Sequence, residues 1–207
     1  MNPDNNNQYP NSQYPIDYLN QIAPQSKKSG PSNRILVLVV IIGGVLALIV
    51  GFFMLISSGN GPTDASQTLA ARLKTLQTVS DKSQKNIKSS ALRGINSNLK
   101  IFLTSANRDI GEPLSTTGVD IAKLDKNIVA KENGTKLSES LEDARLNANF
   151  DNTYAREMSF QLATVEAVMG DIYEKTKSDS LKEFLLETSD NLQPIKKQLD
   201  EFNSTSS

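Results

Sequence analysis

Two kinds of hydrophobic pattern divide the chain. Residues 35–56 form one apolar run of 22 residues without a charge. Beyond Asp64, apolar side chains instead recur at alternating spacings of three and four residues. A helix needs about 20 apolar residues to cross a bilayer, so the run predicts a transmembrane helix over residues 35–57. The alternating spacing is typical of amphipathic helices.

The second pattern predicts four long helices. Their stripes, which are apolar except for Ser80, Ser83 and Thr188, are Leu69, Leu73, Leu76, Ser80 and Ser83; Leu92, Ile95, Leu99, Phe102, Ala106 and Ile110; Phe150, Tyr154, Met158, Leu162, Val165, Met169 and Ile172; and Leu181, Phe184, Thr188, Leu192, Ile195, Leu199 and Phe202. The spacing is also that of a coiled coil. No segment alternates with period two, so strands are not expected. We expect an all-α fold: a single transmembrane helix followed by an antiparallel four-helix bundle over residues 66–203, with one long crossover in its middle.

The remaining segments have the composition of unfolded chain. Residues 1–34 are rich in Asn, Gln, Pro and Ser and have little apolar surface, which predicts a disordered arm. Gly, Ser and Asn mark residues 58–65 as a flexible linker, and residues 204–207 form a short tail.

The charges that flank the apolar run predict its orientation. Lys27, Lys28 and Arg34 precede it, and no Lys or Arg follows until Arg72. Positive residues stay on the cytoplasmic side, so the arm should be cytoplasmic and the bundle extracytoplasmic. The run is longer than a cleaved signal sequence and lacks an A-x-A site, which favours a retained signal-anchor in a single-pass protein of the cell membrane.

Three small residues, Gly43, Ala47 and Gly51, lie on one face of the predicted span. This spacing lets two helix backbones approach closely and indicates a homodimer through the span. The alternative is that Gly and Ala are simply common in membrane helices.

The composition excludes several kinds of chemistry. The chain contains no Cys, no His and no Trp. Disulfides, thiolate nucleophiles and imidazole bases are therefore absent, and so are Ser-His-Asp and Cys-His mechanisms. We expect no enzyme activity and no cofactor. Since the net charge is −1, nothing in the overall charge indicates nucleic acid as a partner.

The sequence FDNTY at residues 150–154, with a last helix that contains Leu192-Gln193-Pro194, resembles an uncharacterised ferritin-like family of exported bacterial proteins. The resemblance is strongest over residues 150–202, and it implies a ferritin-like four-helix bundle. The family places a histidine in its third helix and another in its last. This chain has Gln161 or Leu162, and Gln198, near those positions, which puts any activity that depends on the imidazoles in doubt.

Carboxylates and a tyrosine on a bundle helix raise the question of a ferritin-like metal site. Such a site draws carboxylates from all four helices, with Glu-x-x-His pairs. The second helix has no Asp or Glu from Ala91 to Arg108, and the chain has no His. We therefore predict a structural role for Asp151, Tyr154 and Glu157, and no metal.

Charge is distributed unevenly between the two halves of the bundle. Residues 72–108 contain eight Lys or Arg and one Asp, whereas residues 109–207 contain eleven Lys or Arg and nineteen Asp or Glu. The first hairpin is basic and the second is acidic, which fits either mutual pairing or a face for an anionic polymer. The residues expected on that polyanion face are Lys82, Lys85, Lys88, Arg93 and Lys100.

These observations favour a non-enzymatic, membrane-anchored envelope protein whose outer bundle binds an envelope protein or an anionic polymer. Two alternatives remain open. One is a ferritin-like metal-binding or redox protein, and the other is a single-pass signalling or adaptor protein.

Overall fold

The computed structural model describes residues 62–205, which contain seven α-helices and one 3₁₀ turn. The four long helices are α1 (Pro62–Ser83), α2 (Ser90–Asp109), α6 (Phe150–Lys175) and α7 (Asp179–Thr205). Residues 110–149, the crossover, contain α3 (Gly111–Ser115), the 3₁₀ turn (Ile121–Lys123), α4 (Lys126–Lys131) and α5 (Thr135–Leu146). The described residues contain no strand, so the predicted all-α class is confirmed for them.

The long helices form a four-helix bundle in which every neighbouring pair is antiparallel. Helices α1 and α7 each pack against both α2 and α6. Tyr154, near the start of α6, meets Asn96 of α2 at the end of the bundle where α1 finishes. At the opposite end, Thr116 beyond α2 is 2.7 Å from Ser178, which precedes α7. Two helical hairpins are therefore joined by a crossover that returns along the whole bundle.

Apolar burial between the four helices forms the core. All members of the four predicted stripes are buried except Ile95 and Phe202, which are half-buried against the core. Leu192 and Leu199 are fully buried and Ile195 is 8 % exposed, as their heptad-like spacing predicts. The 3.6-residue period places each stripe on one face of its helix, so the four stripes meet at the bundle axis.

The crossover lies along α1 before it reaches α6. Arg72 pairs with Glu132 at 2.7 Å, and the Thr75 hydroxyl donates to the Glu132 carbonyl at 2.5 Å. Nearer the start of α1, the Gln67 side chain accepts a hydrogen bond of 2.7 Å from the Asp125 amide. Helix α5 then packs on α6. Contacts over the length of α1 therefore attach the crossover to the bundle.

Helix α1 begins within the residues predicted as a linker. Pro62 is its first residue and Asp64 lies in its first turn. Proline is favoured at the first helical position, and a carboxylate there interacts favourably with the helix dipole. These two local preferences favour a helix start at Pro62, inside the predicted linker of residues 58–65.

The predicted fold class is corrected on one point. No helix within residues 62–205 is long and apolar enough to cross a membrane. The reason is that the long helices are amphipathic, with charged side chains between the members of each apolar stripe. None of these helices is therefore the predicted single-pass signal-anchor. The predicted span over residues 35–57, with Gly43, Ala47 and Gly51, lies outside the described residues.

Candidate functional site

The turn between α1 and α2 is held firmly against the start of α6. The carboxylate of Asp151 accepts hydrogen bonds from the backbone amides of Lys88, at 3.0 Å, and Ser89, at 2.7 Å. Ile87 is 2 % exposed and packs into the core. Ser89 caps α2 by accepting from the Leu92 amide. The backbone of this turn is therefore fixed, although its lysines are exposed.

Three of the five residues predicted for the polyanion face converge beside this turn. Lys85, Lys88 and Arg93 line one groove of about 590 Å³, together with Arg145. All three predicted residues are exposed, and none forms an ion pair with another residue of the described chain. We call Lys85, Lys88, Arg93 and Arg145 the turn face.

The other two predicted residues lie elsewhere. Lys82 is exposed but lines a neighbouring groove between α1 and the crossover. Lys100 is half-buried, and its ammonium pairs with Asp81 at 2.9 Å. Lys100 therefore contributes to contact within the first hairpin, and its charge is balanced there.

Arg145 belongs to the turn face but was missed by the sequence analysis. It lies at the end of α5, outside the basic first hairpin, and the crossover brings it back to the turn. Arg145 pairs with Glu142 at 2.6 Å, and this hydrogen bond lowers the pKa of the Glu142 carboxyl below its ordinary value. No local pattern in the sequence distinguishes Arg145 from other exposed helical arginines.

The basic first hairpin and the acidic second hairpin form no ion pairs with each other among the described residues. Within residues 62–205, no ion pair joins α1 or α2 to α6 or α7. Arg72 pairs with the crossover, Lys100 with its own hairpin, and the remaining pairs join residues at most four positions apart. Exposed pairs of this kind contribute only about 0–1 kcal/mol each. Lys85, Lys88 and Arg93 therefore have no ion-pair partner within residues 62–205, and the nearby Asp151 carboxylate binds backbone amides.

The carboxylates of Asp151 and Glu157, at the start of α6, both bind other groups of the protein. Asp151 binds the turn amides, and Glu157 pairs with its neighbour Arg156 at 3.2 Å. In the described part of the chain, no group of three or more His, Cys, Asp or Glu side chains is arranged to hold a metal ion.

Tyr154 takes part in a buried hydrogen-bond network across three helices. Its hydroxyl donates to Asn96 Oδ1, which also accepts from Ser80 Oγ at 2.6 Å. The Asn96 amide nitrogen donates to the Ser80 carbonyl at 3.2 Å and to the Gln84 side chain. Tyr154, Asn96 and Ser80 are fully buried, and burial raises the pKa of Tyr154 above its ordinary value. A neutral, hydrogen-bonded phenol of this kind joins α1, α2 and α6.

Comparison with models of known protein families finds no matching family, and comparisons with curated proteins and with solved structures find no match either. The resemblance to a ferritin-like family therefore stays a prediction.

Proposed function

We propose that the bundle is a non-enzymatic binding module whose turn face binds an anionic polymer. The observation that carries this proposal is the convergence of Lys85, Lys88 and Arg93 on one groove, without an ion-pair partner among the described residues. Arg145 lines the same groove from another element, where it is paired with Glu142. The absence of His and Cys from the whole sequence supports binding over catalysis.

The rigid turn favours binding. Asp151 binds the backbone amides of Lys88 and Ser89, and Ser89 caps α2, so little backbone freedom is lost here when an anion binds. Lysine and arginine together suit a polymer with repeated charges, because Lys acts as a mobile point charge and Arg can bind two oxygens at once.

The test is retention of the full chain on an immobilised polyphosphate matrix over a salt series. A nonionic detergent is included in every buffer, because residues 35–56 are uncharged and apolar. The triple variant Lys85→Gln, Lys88→Gln and Arg93→Gln should elute at distinctly lower salt than the unaltered chain. Binding should weaken steeply once the screening length falls below about 10 Å, near 0.1 M ionic strength.

The matched control has the same change in net charge on another surface. Lys126, Lys131 and Lys136 are exposed on the crossover and form no ion pair within residues 62–205. Their triple substitution by Gln should leave retention close to that of the unaltered chain. Equal loss in both triple variants would show that net charge alone causes retention, and no retention at low salt would refute the proposal outright.

A further inference from the structure

A second groove, here called the α1 groove, lies between α1 and the crossover. It has a volume of about 550 Å³. Lys74, Thr78 and Lys82 lie on its α1 side, each one helical turn from the next, and Ile121 and Val129 lie on the crossover side. Ligand sites are commonly concave and of about 300–1,000 Å³, so the α1 groove has the size of a small-molecule site.

The walls of the α1 groove are held in place. Glu132 is bound by Arg72 and by the Thr75 hydroxyl, which attaches the segment after α4 to α1. A Cβ atom on Gly134 would lie 2.6 Å from Thr75 Cγ2, so the Thr75 side chain packs directly against the Gly134 backbone. The groove is therefore largely formed before any ligand enters.

The crossover wall of the α1 groove is apolar and partly exposed to water. Ile121 is 41 % exposed and Val129 is 44 % exposed, and both belong to the small set of large apolar side chains exposed in the described residues. Buried Val79, Leu141 and Phe150 continue this surface inward. Covering it with hydrocarbon would remove apolar area from water, which favours binding.

The rim of the α1 groove is positively charged. Lys74 and Lys82 are both exposed, and neither forms an ion pair within residues 62–205. They are eight positions apart, which is about 12 Å along a helix axis at 1.5 Å per residue. The one acid that lines the groove, Glu142, is already paired with Arg145 at 2.6 Å. The groove therefore attracts anions.

We infer that the α1 groove binds an anionic single-chain amphiphile, with a carboxylate or phosphate head at the lysines and its hydrocarbon chain against Ile121 and Val129 of the crossover wall. An extended peptide is a poorer fit because most of the lining residues are helical. Backbone groups inside α1 and α4 are paired within their helices, so they provide no strand edge for main-chain pairing. This inference concerns different residues from the turn face.

The experiment is photolabelling of the full chain with a dodecanoate that bears a diazirine at its methyl end. Labelled peptides are then identified by mass spectrometry. The label should concentrate on residues 71–86 and 121–141. Unlabelled dodecanoate and dodecyl phosphate, added as separate competitors, distinguish the two head groups. Competition by either supports the inference, whereas equal competition by dodecyltrimethylammonium would overturn it, because the lysine rim should repel a cationic head.

Two variants test the groove directly. Thr78→Trp fills it from the exposed face of α1, and the double variant Lys74→Gln with Lys82→Gln removes the rim charge without added bulk. Each should lower specific labelling by about tenfold, the effect of losing about 1.4 kcal/mol. Labelling that is unchanged in both variants would overturn the inference, as would displacement of the label by an acidic peptide without an alkyl chain.

Matched controls exist for both variants. Ser97 is exposed on α2, and its hydroxyl bonds to the carbonyl four residues earlier, as that of Thr78 does. Ser97→Trp should label normally, and so should Lys126→Gln with Lys131→Gln. The triple variant of the turn face should also label normally, so the two proposals fail independently.

Discussion

Replacement of Tyr154 by Phe should change stability in opposite directions at neutral and at alkaline pH. The substitution keeps the buried ring and removes the hydroxyl that donates to Asn96 Oδ1. Asn96 retains its bond from Ser80 Oγ at 2.6 Å and its own donation to the Ser80 carbonyl at 3.2 Å. Because one hydrogen bond is lost and no buried group is left without a partner, the cost near neutral pH should be about 1 kcal/mol.

The alkaline effect follows from burial of the phenol. Burial raises the pKa of Tyr154 in the folded protein, whereas an unfolded tyrosine ionises near pH 10. Above that pH the unfolded state binds fewer protons than the folded state, so stability falls as pH rises. This contribution is complete below about pH 10 and then declines by about 1.4 kcal/mol per pH unit until the folded pKa is reached. The Phe variant lacks this decline.

The two effects should cancel between about pH 10.5 and 11, where the linkage loss of the unaltered chain reaches about 1 kcal/mol. The assay is urea unfolding of the full chain, followed by far-ultraviolet circular dichroism, at about pH 8 and about pH 11. The Tyr154→Phe protein should be the less stable one at the lower pH. At the higher pH it should equal or exceed the unaltered chain.

Tyr173 provides the control. It is 38 % exposed, and its ring lies 5.7 Å from the Lys182 ammonium. A Tyr173→Phe variant should lose stability between the two pH values as the unaltered chain does. If Tyr154→Phe also loses stability that steeply, the alkaline decline does not come from Tyr154, and the reasoning from its burial is wrong.

Two further predictions concern packing and backbone conformation. Leu199→Ala removes a fully buried side chain from α7 and should lower the free energy of unfolding by about 2–5 kcal/mol; an unchanged urea midpoint would contradict the described packing. Gly134→Ala should destabilise by more than about 1 kcal/mol, because Gly134 has φ +69° and a Cβ there would meet Thr75. Gly170 lies in α6 with open space around it, so Gly170→Ala should instead stabilise the protein by about 0.5–1 kcal/mol. If urea unfolding shows that both glycine substitutions change stability in the same direction, this account is refuted.

Helix positions and core faces could be predicted from the sequence because they depend on local periodicity. The second stripe runs from Leu92 to Ile110, and α2 extends from Ser90 to Asp109. Residues that recur every three or four positions lie on one face of a helix whatever the rest of the chain does. The buried Leu192 and Leu199 follow from this geometry alone.

Polar residues inside the bundle were harder to predict. Asn96 stands next to Ile95 in the sequence and is fully buried, although asparagine is usually exposed. Its burial depends on Ser80 and Tyr154, which meet it from two other helices. The sequence predicted a structural role for Tyr154, but its hydrogen-bond partner lies 58 positions away and became evident only from the packing.

The two candidate binding surfaces also depend partly on local sequence and partly on the tertiary structure. The basic character of Lys85, Lys88 and Arg93 could be read from the sequence, because they are close together in the chain. Arg145 and the α1 groove depend on the path of the crossover, which returns along α1 and reaches the turn from the far end of the bundle. Local spacing determines which face of a helix a residue occupies. The residues that it meets across 50 or more positions are determined by how the apolar faces pack together, and only the tertiary structure contains that information.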